Sequence, residues 1–227
     1  MAEDERHSRA VQAELITDPD QLAKREARNA LRQFDMVVEM IDYFLQPEHP
    51  FKLRPSTILH LHRAALDGIT AYAGNWRPAA IEIGGSRHRP VGAHLVAEEV
   101  EHMCDYVNDN WGKPAIHLAA FTLWRLNWIH PFTDGNGRTA RAVSYVVMCV
   151  RLGERLPGRN TIPEQIASNK KPYYKALEAA DKPFKEKGVI DVSATEVLLE
   201  DLLARQLASV LRAAAGEDSG AAGRTFH

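Results

Sequence analysis

Two stretches of this chain are apolar around most of a helical circumference: AIHLAAFTLWRLNWI (115–129) and ARAVSYVVMCVRLG (140–153). A helix with no polar face has nothing to offer water, so both must stand at the centre of whatever forms. The chain has 227 residues, of which 45% are hydrophobic, and that suits one domain with a substantial core. The link between the two stretches is the opposite in character. It carries His130, Asp134, Gly135, Asn136, Gly137 and Arg138, with Arg141 one turn further on. A polar, flexible link between core helices is not explained by folding alone.

The remaining pattern is mostly helical. Leu22, Leu31, Phe34, Val37, Val38, Ile41 and Phe44 recur at spacings of three and four, giving an amphipathic helix that ends before Pro47. Pro55 and Ser56 open a second helix that Gly68 can close, and a third runs from about Ala93 to Asn110. A further helix is expected over Ile162–Ala180. The last, Ser193–Arg212, starts with the capping-box pattern Ser193-x-x-Glu196, and its leucines read as core packing. One segment differs. In IEIGGSRHRPVG, Ile81 and Ile83 alternate with Glu82 and run into Gly84-Gly85, between Pro78 and Pro90, which reads as a small β-hairpin. The expectation is an all-α domain over residues 21–212 carrying that hairpin. Residues 1–20 are expected to be a flexible lead and 213–227 a disordered tail.

Several function classes are disfavoured by composition. The formal net charge is −2, and no basic, aromatic-interleaved surface argues for nucleic acid or an anionic membrane. The N-terminal MAEDERHSRA has no apolar core of a secretory signal, and no apolar run approaches the roughly 20 residues of a membrane span. Cys104 and Cys149 lie in apolar helical patterns and read as buried reduced thiols. The expected location is the cytoplasm.

The chemistry of the loop follows from its residue types. Glycines flanking Asn136 allow positive φ and let successive amides face one point, and the helix start behind them adds its own unpaired N–H groups and dipole. Arg138 and Arg141 share a face of that first turn, where cations oppose the dipole. A polyanion such as a di- or triphosphate, seated between them and the helix end, removes the conflict. Asp134 beside such a site suits Mg²⁺, which takes one or two carboxylates plus phosphate oxygens. His130 has an ordinary pKa suited to taking a proton from a hydroxyl, and Phe132 is expected to point inward as an anchor. An EF-hand fails because Arg138 and Tyr145 fall where ligands are required, and a P-loop fails for want of GK[ST]. His60 and His62, two apart on a helix, read as surface or core-edge histidines rather than ligands.

His130-Pro131-Phe132-Thr133-Asp134-Gly135-Asn136-Gly137-Arg138-Thr139-Ala140-Arg141 matches, without a gap, the signature HPFx[DE]GNGRxxR, and in it the chain resembles the Fic family. The likeness extends over about residues 56–181, through LHRAALDGITAYAGNWRP and IPEQIASNKKPYYKALEAAD. It implies the Fic fold, a helical bundle with a β-hairpin flap over the active site. It also implies Mg²⁺-dependent transfer of AMP from ATP to a Ser, Thr or Tyr hydroxyl of a target protein. His130 would be the general base and Asp134 the metal ligand. Gly135, Asn136 and Gly137 would cradle the phosphates, Arg138 and Arg141 would bind their outer oxygens, and Asn136 and Arg138 would stabilise the developing charge. Tyr174 resembles a residue packed on adenine, and Asp181 stands where many relatives have Asn. Ile81, Glu82, Ile83 and Gly84 resemble the edge on which a target segment docks. Relatives that phosphorylate or transfer phosphocholine depart from the intact GNGR core, and a non-catalytic nucleotide-binding module is the other alternative.

Many relatives carry an inhibitory helix with the pattern [ST]xxxE[GN], whose Glu pairs with the second motif arginine. The nearest match is Leu22-Ala23-Lys24-Arg25-Glu26-Ala27, which departs at both ends of the pattern. Glu26 is therefore a candidate for reaching Arg141, with a solvated charge as the plainer reading. An antitoxin-like partner protein is the alternative source of such a helix, and a homodimer through the last helix is a further candidate assembly.

Overall fold

The computed structural model describes residues 14–215 apart from Arg87. Of the flexible lead expected over 1–20 and the tail expected over 213–227, residues 1–13 and 216–227 lie outside the described residues, while Pro19 and Asp20, like residues 213–214, are helical. The elements are α1 (Pro19–Phe44), α2 (Pro55–Leu66), a short 3₁₀ turn (Ala93–Leu95) leading into α3 (Val96–Asp109), α4 (Ala115–Ile129), α5 (Asn136–Leu152), α6 (Ile162–Ser168), α7 (Lys170–Lys187) and α8 (Ser193–Ala214). The described residues contain no strand, only an isolated bridge between Glu14 and Thr70.

The two all-round apolar segments are α4 and α5, and they form the centre. Leu118, Leu123, Trp124, Val147 and Met148 have no exposed surface, and Phe132 between the helices is equally buried. Phe132 thus pins the connecting loop to the core, as its apolar side chain requires. α1 docks differently from its sequence pattern. Its buried positions are Asn29, Gln33, Val37 and Ile41, spaced by four, while Leu31 and Phe34 of the expected stripe are exposed. The two amides are buried because both find main-chain carbonyls on α2, and Asn29 reaches its last turn, where carbonyls have no partner within the helix. Asn29 Nδ2 donates to Ala65 O and Asp67 O at 3.2 and 2.9 Å, and Gln33 Nε2 to Leu61 O at 3.0 Å. α1 therefore caps the C-terminal end of α2.

Three other sequence expectations are corrected. The single helix over 162–180 is two, because Pro172 has no N–H to give and its ring would meet the carbonyl of Ser168, so the chain breaks at Asn169. The Ser193/Glu196 capping box does not form. Glu196 Oε1 accepts instead from His117 Nδ1 at 2.6 Å, tying α8 to α4. The segment expected to be a β-hairpin keeps its turn at Gly84-Gly85, with Ser86 N donating to Ile83 O at 3.1 Å, but its arms do not pair as strands. We call residues 79–91 the flap.

Candidate active site

A cavity of about 740 Å³ opens between the start of α5, the end of α4, the flap and one face of α7. It is lined by every residue of the 133–138 loop and also by His130, Arg141, Tyr174, Asp181 and Glu26. The flap contributes Ile83 and Gly84, whereas Ile81 and Glu82 do not line it.

His130 terminates α4 in the left-handed region, at φ +51°, and non-glycine residues hold that conformation only where surroundings enforce it. Its Nδ1 lies 3.3 Å from Asn127 O, and a carbonyl can only accept, so Nδ1 carries the hydrogen and Nε2 keeps its lone pair. Burial holds this imidazole down to about 4, with the Asn127 carbonyl pulling the other way. It is therefore neutral, and a proton acceptor, at neutral pH.

Gly135 is the N-cap of α5, at φ +75°. The first intrahelical bond runs from Thr139 N to Gly135 O at 2.9 Å, so the amides of Asn136, Gly137 and Arg138 have no acceptor within the helix. They supply the partial positive charge expected of an anion site. Gly137 differs from the sequence expectation, since its backbone is helical rather than left-handed. Its lack of a side chain leaves room for Arg141, whose Nη1 would stand 3.3 Å from an added Cβ. The Asn136 side chain also closes the loop: Oδ1 accepts from Phe132 N at 2.9 Å and Nδ2 donates one of its two hydrogens to Phe132 O at 2.8 Å. Its backbone amide and the second Nδ2 hydrogen remain without a partner among the described residues.

The two arginines differ. Arg138 is held by two carboxylates, Glu26 through Nη1 at 2.9 Å and Asp134 through Nη2 at 3.0 Å. Glu26 thus reaches the motif, as the degenerate pattern in α1 hinted, but it meets the first arginine and not Arg141. Arg141 makes no ion pair or hydrogen bond with any described residue, and burial lowers its pKa. A partly desolvated, unpaired guanidinium beside three free amides is a site built for an anion. Asp134 presents one carboxylate to the same space, its Oδ1 accepting from Gly135 N at 2.6 Å. Among the described residues no three His, Cys, Asp or Glu side chains converge on a metal. A single carboxylate beside an anion site fits Mg²⁺, which draws its other ligands from phosphate and water.

On α7, Tyr174, Leu177, Glu178 and Asp181 line the opposite wall. Tyr174 is half exposed and offers a ring face. Asp181 Oδ1 accepts from Trp124 Nε1 at 2.9 Å, which leaves Oδ2, 3.6 Å from both His88 Nδ1 and Lys185 Nζ. Three supporting residues escape the sequence reading: Arg77 and His88 have no role in it, and His62, which reads as a surface or core-edge histidine, is fully buried. His62 accepts from Gly74 N at Nδ1 (3.0 Å) and donates from Nε2 to Asp134 O (3.0 Å), while stacking 3.6 Å from the Phe132 ring. His88 Nε2 donates to Trp128 O at 2.7 Å, and Arg77 Nε to His130 O at 2.8 Å.

A model of the Fic/DOC family matches residues 52–148. Protein adenylyltransferase fic-1 of Caenorhabditis elegans is 35% identical over 107 residues, covering 46% of this chain and 20% of that protein. The protein of the same name from Caenorhabditis briggsae is 30% identical over 123 residues, covering 53% of this chain and 24% of that one. The match thus spans a quarter or less of these relatives' length. In structure the chain is similar to a Fic-1 fragment from C. elegans (TM-score 0.62, 22% identity, 87% of this chain and 56% of that one). It is also similar to a Fic-domain signalling protein from Bacteroides thetaiotaomicron (TM-score 0.66, 23% identity, 83% and 73%). These likenesses show the fold.

Proposed function

This chain carries a Fic/DOC family domain, and from that premise we propose that it transfers AMP from ATP to a hydroxyl group of a target protein. The observation that carries the reading is the pairing of an uncommitted Arg141 and three free α5 amides with a neutral His130 at the rim of one cavity. The target hydroxyl oxygen bonds the α-phosphorus, its proton passes to His130 Nε2, the bond to the bridging oxygen breaks and pyrophosphate leaves. The α5 amides and the two arginines hold the phosphates and meet developing charge without reorganising. Asp134 would hold Mg²⁺, which when bound supplies neutralisation of the phosphate charge. Tyr174 packs on the base, and Asp181 Oδ2 accepts from its exocyclic amino group. Ile81, Glu82, Ile83 and Gly84 form the docking edge. Ile81 and Glu82 have no backbone partner among the described residues, which favours an incoming target strand.

Glu26 holds the guanidinium that the β- and γ-phosphates need, so α1 competes weakly with ATP for Arg138 from within the chain, and an antitoxin-like partner remains the candidate for any stronger restraint. The test is incubation with Mg²⁺ and ATP radiolabelled at the α-phosphate, beside His130→Ala. Protein labelling that disappears in the variant is expected. Labelling from the γ-phosphate would instead make the protein a kinase, and nucleotide binding with no transfer by either Glu26→Gly or wild type would make it a binding module.

A further inference from the structure

The carbonyls at the end of α4 are held by one neighbouring segment. His88 reaches Trp128 O, Arg77 N donates to Pro131 O at 2.9 Å, and Arg77 Nε donates to His130 O at 2.8 Å. The rest of the Arg77 fork closes the flap on itself. Nη1 donates to Ala79 O at 3.0 Å and Nη2 to Val91 O, the two ends of the 79–91 loop. Arg77 is 2% exposed and meets no carboxylate among the described residues. A buried cation without a counter-ion is expensive and persists only when its hydrogen bonds are met. Three main-chain carbonyls meet them here, one on each nitrogen of the guanidinium, a spread that the single nitrogen of a lysine does not reproduce.

We propose that Arg77 is a positioning residue for AMP transfer: one guanidinium ties both ends of the flap to the backbone of His130, so an acceptor docked on the flap meets the imidazole in fixed register. The inference rests on the proposed function for what the register is for. The strain at His130 gives it a second footing, because φ +51° needs something to enforce it and the Nε bond falls on that residue's own carbonyl. The positive charge of Arg77 also adds to the lowering of the His130 imidazole that burial begins.

The experiment compares wild type with Arg77→Gln in the full chain, reading the His130 imidazole titration by NMR, amide exchange across 79–91, and affinity for a non-hydrolysable ATP analogue. In the variant, His130 is expected to titrate nearer its ordinary 6.5. Exchange across 79–91 should rise about tenfold or more. Nucleotide affinity should stay within about threefold, because the phosphate cradle is on α5. A folded Gln variant with wild-type His130 titration and wild-type flap exchange overturns the proposal, even if its thermal stability falls. Should that variant not fold, Arg77→Lys keeps the charge without the fork. Faster flap exchange and weaker AMP transfer then support the assignment, and wild-type values of both refute it. Failure of wild type to bind the nucleotide analogue would defeat the proposed function, while the titration and exchange would still decide what Arg77 holds.

Discussion

At Gly135 the backbone stands at φ +75°, and a Cβ built there would come within 2.4 Å of Leu66 Cδ2 and 3.3 Å of His62 Cδ2. Leu66 is fully buried and cannot swing away. Gly135→Ala combines left-handed strain with overpacking, about 2–4 kcal/mol together. The midpoint of thermal unfolding should fall by roughly 5–15 °C, and an unchanged Tm would mean the loop can relax away from Leu66. Glu26 poses a smaller question at the same scale. Its side chain is 43% exposed, so the pair with Arg138 is worth no more than about 1 kcal/mol. Glu26→Gln should therefore tighten ATP binding by about two- to fivefold, with the gain shrinking at high salt. Calorimetric titration at two ionic strengths checks both, and equal affinities in the two proteins would remove Glu26 from regulation. The residues that could be read from sequence, His130, Asp134, Arg138 and Arg141, share a trait: their chemistry belongs to their own side chains. His62, Arg77 and His88 could not be read because each acts on a main-chain carbonyl, and carbonyls carry no residue identity.

The same contrast holds between elements. α4 and α5 were legible nearly to the residue, because an apolar circumference leaves only burial as an outcome. The flap was not, since alternation of Ile81, Glu82 and Ile83 describes a strand only if something pairs with it. The capping box of α8 failed for a related reason: Glu196 had a distant partner in His117, and no local rule can see across the fold. The loop between α4 and α5 is a third case. Sequence marked Asn136 as a phosphate ligand, and gave no sign that its side chain also closes the loop onto Phe132. Asn136→Ala leaves a buried N–H and C=O without partners, at about 1–3 kcal/mol. Chemical denaturation should show that loss in the variant without any nucleotide present. Undiminished stability together with lost transfer would leave Asn136 with a directly catalytic role and no structural one.

Over the whole molecule, buried titratable groups set the pH range in which this fold is stable. Burial lowers His62 to about 4, against the pull of the Asp134 carbonyl, and it lowers His130 to about 4 as well. Both ordinarily titrate at 6.5. Between 6.5 and 4 the unfolded chain takes up protons that the folded chain refuses, so stability falls with falling pH across that window and levels off below it. At the alkaline side, burial raises Cys149 to about 11 and Cys104 to about 12, from 9.0 in the open chain. The unfolded thiols ionise first, so stability declines as pH rises through 9 toward those values. The expected profile is a plateau from about 6.5 to 9 with a slope on each flank, and Tm measured across pH draws it directly. Each imidazole contributes on the order of 3 kcal/mol to the acid flank, so the two should be separable. His62 donates to the Asp134 carbonyl and accepts from Gly74, an arrangement that only the neutral ring permits, because a second proton would face the Gly74 N–H. His62→Gln can keep one of these bonds without titrating, so it should lower the plateau yet flatten the acid slope by about half. A variant with an unchanged acid slope would show that protonation of His62 does not set the acid flank, which would then belong to His130 alone.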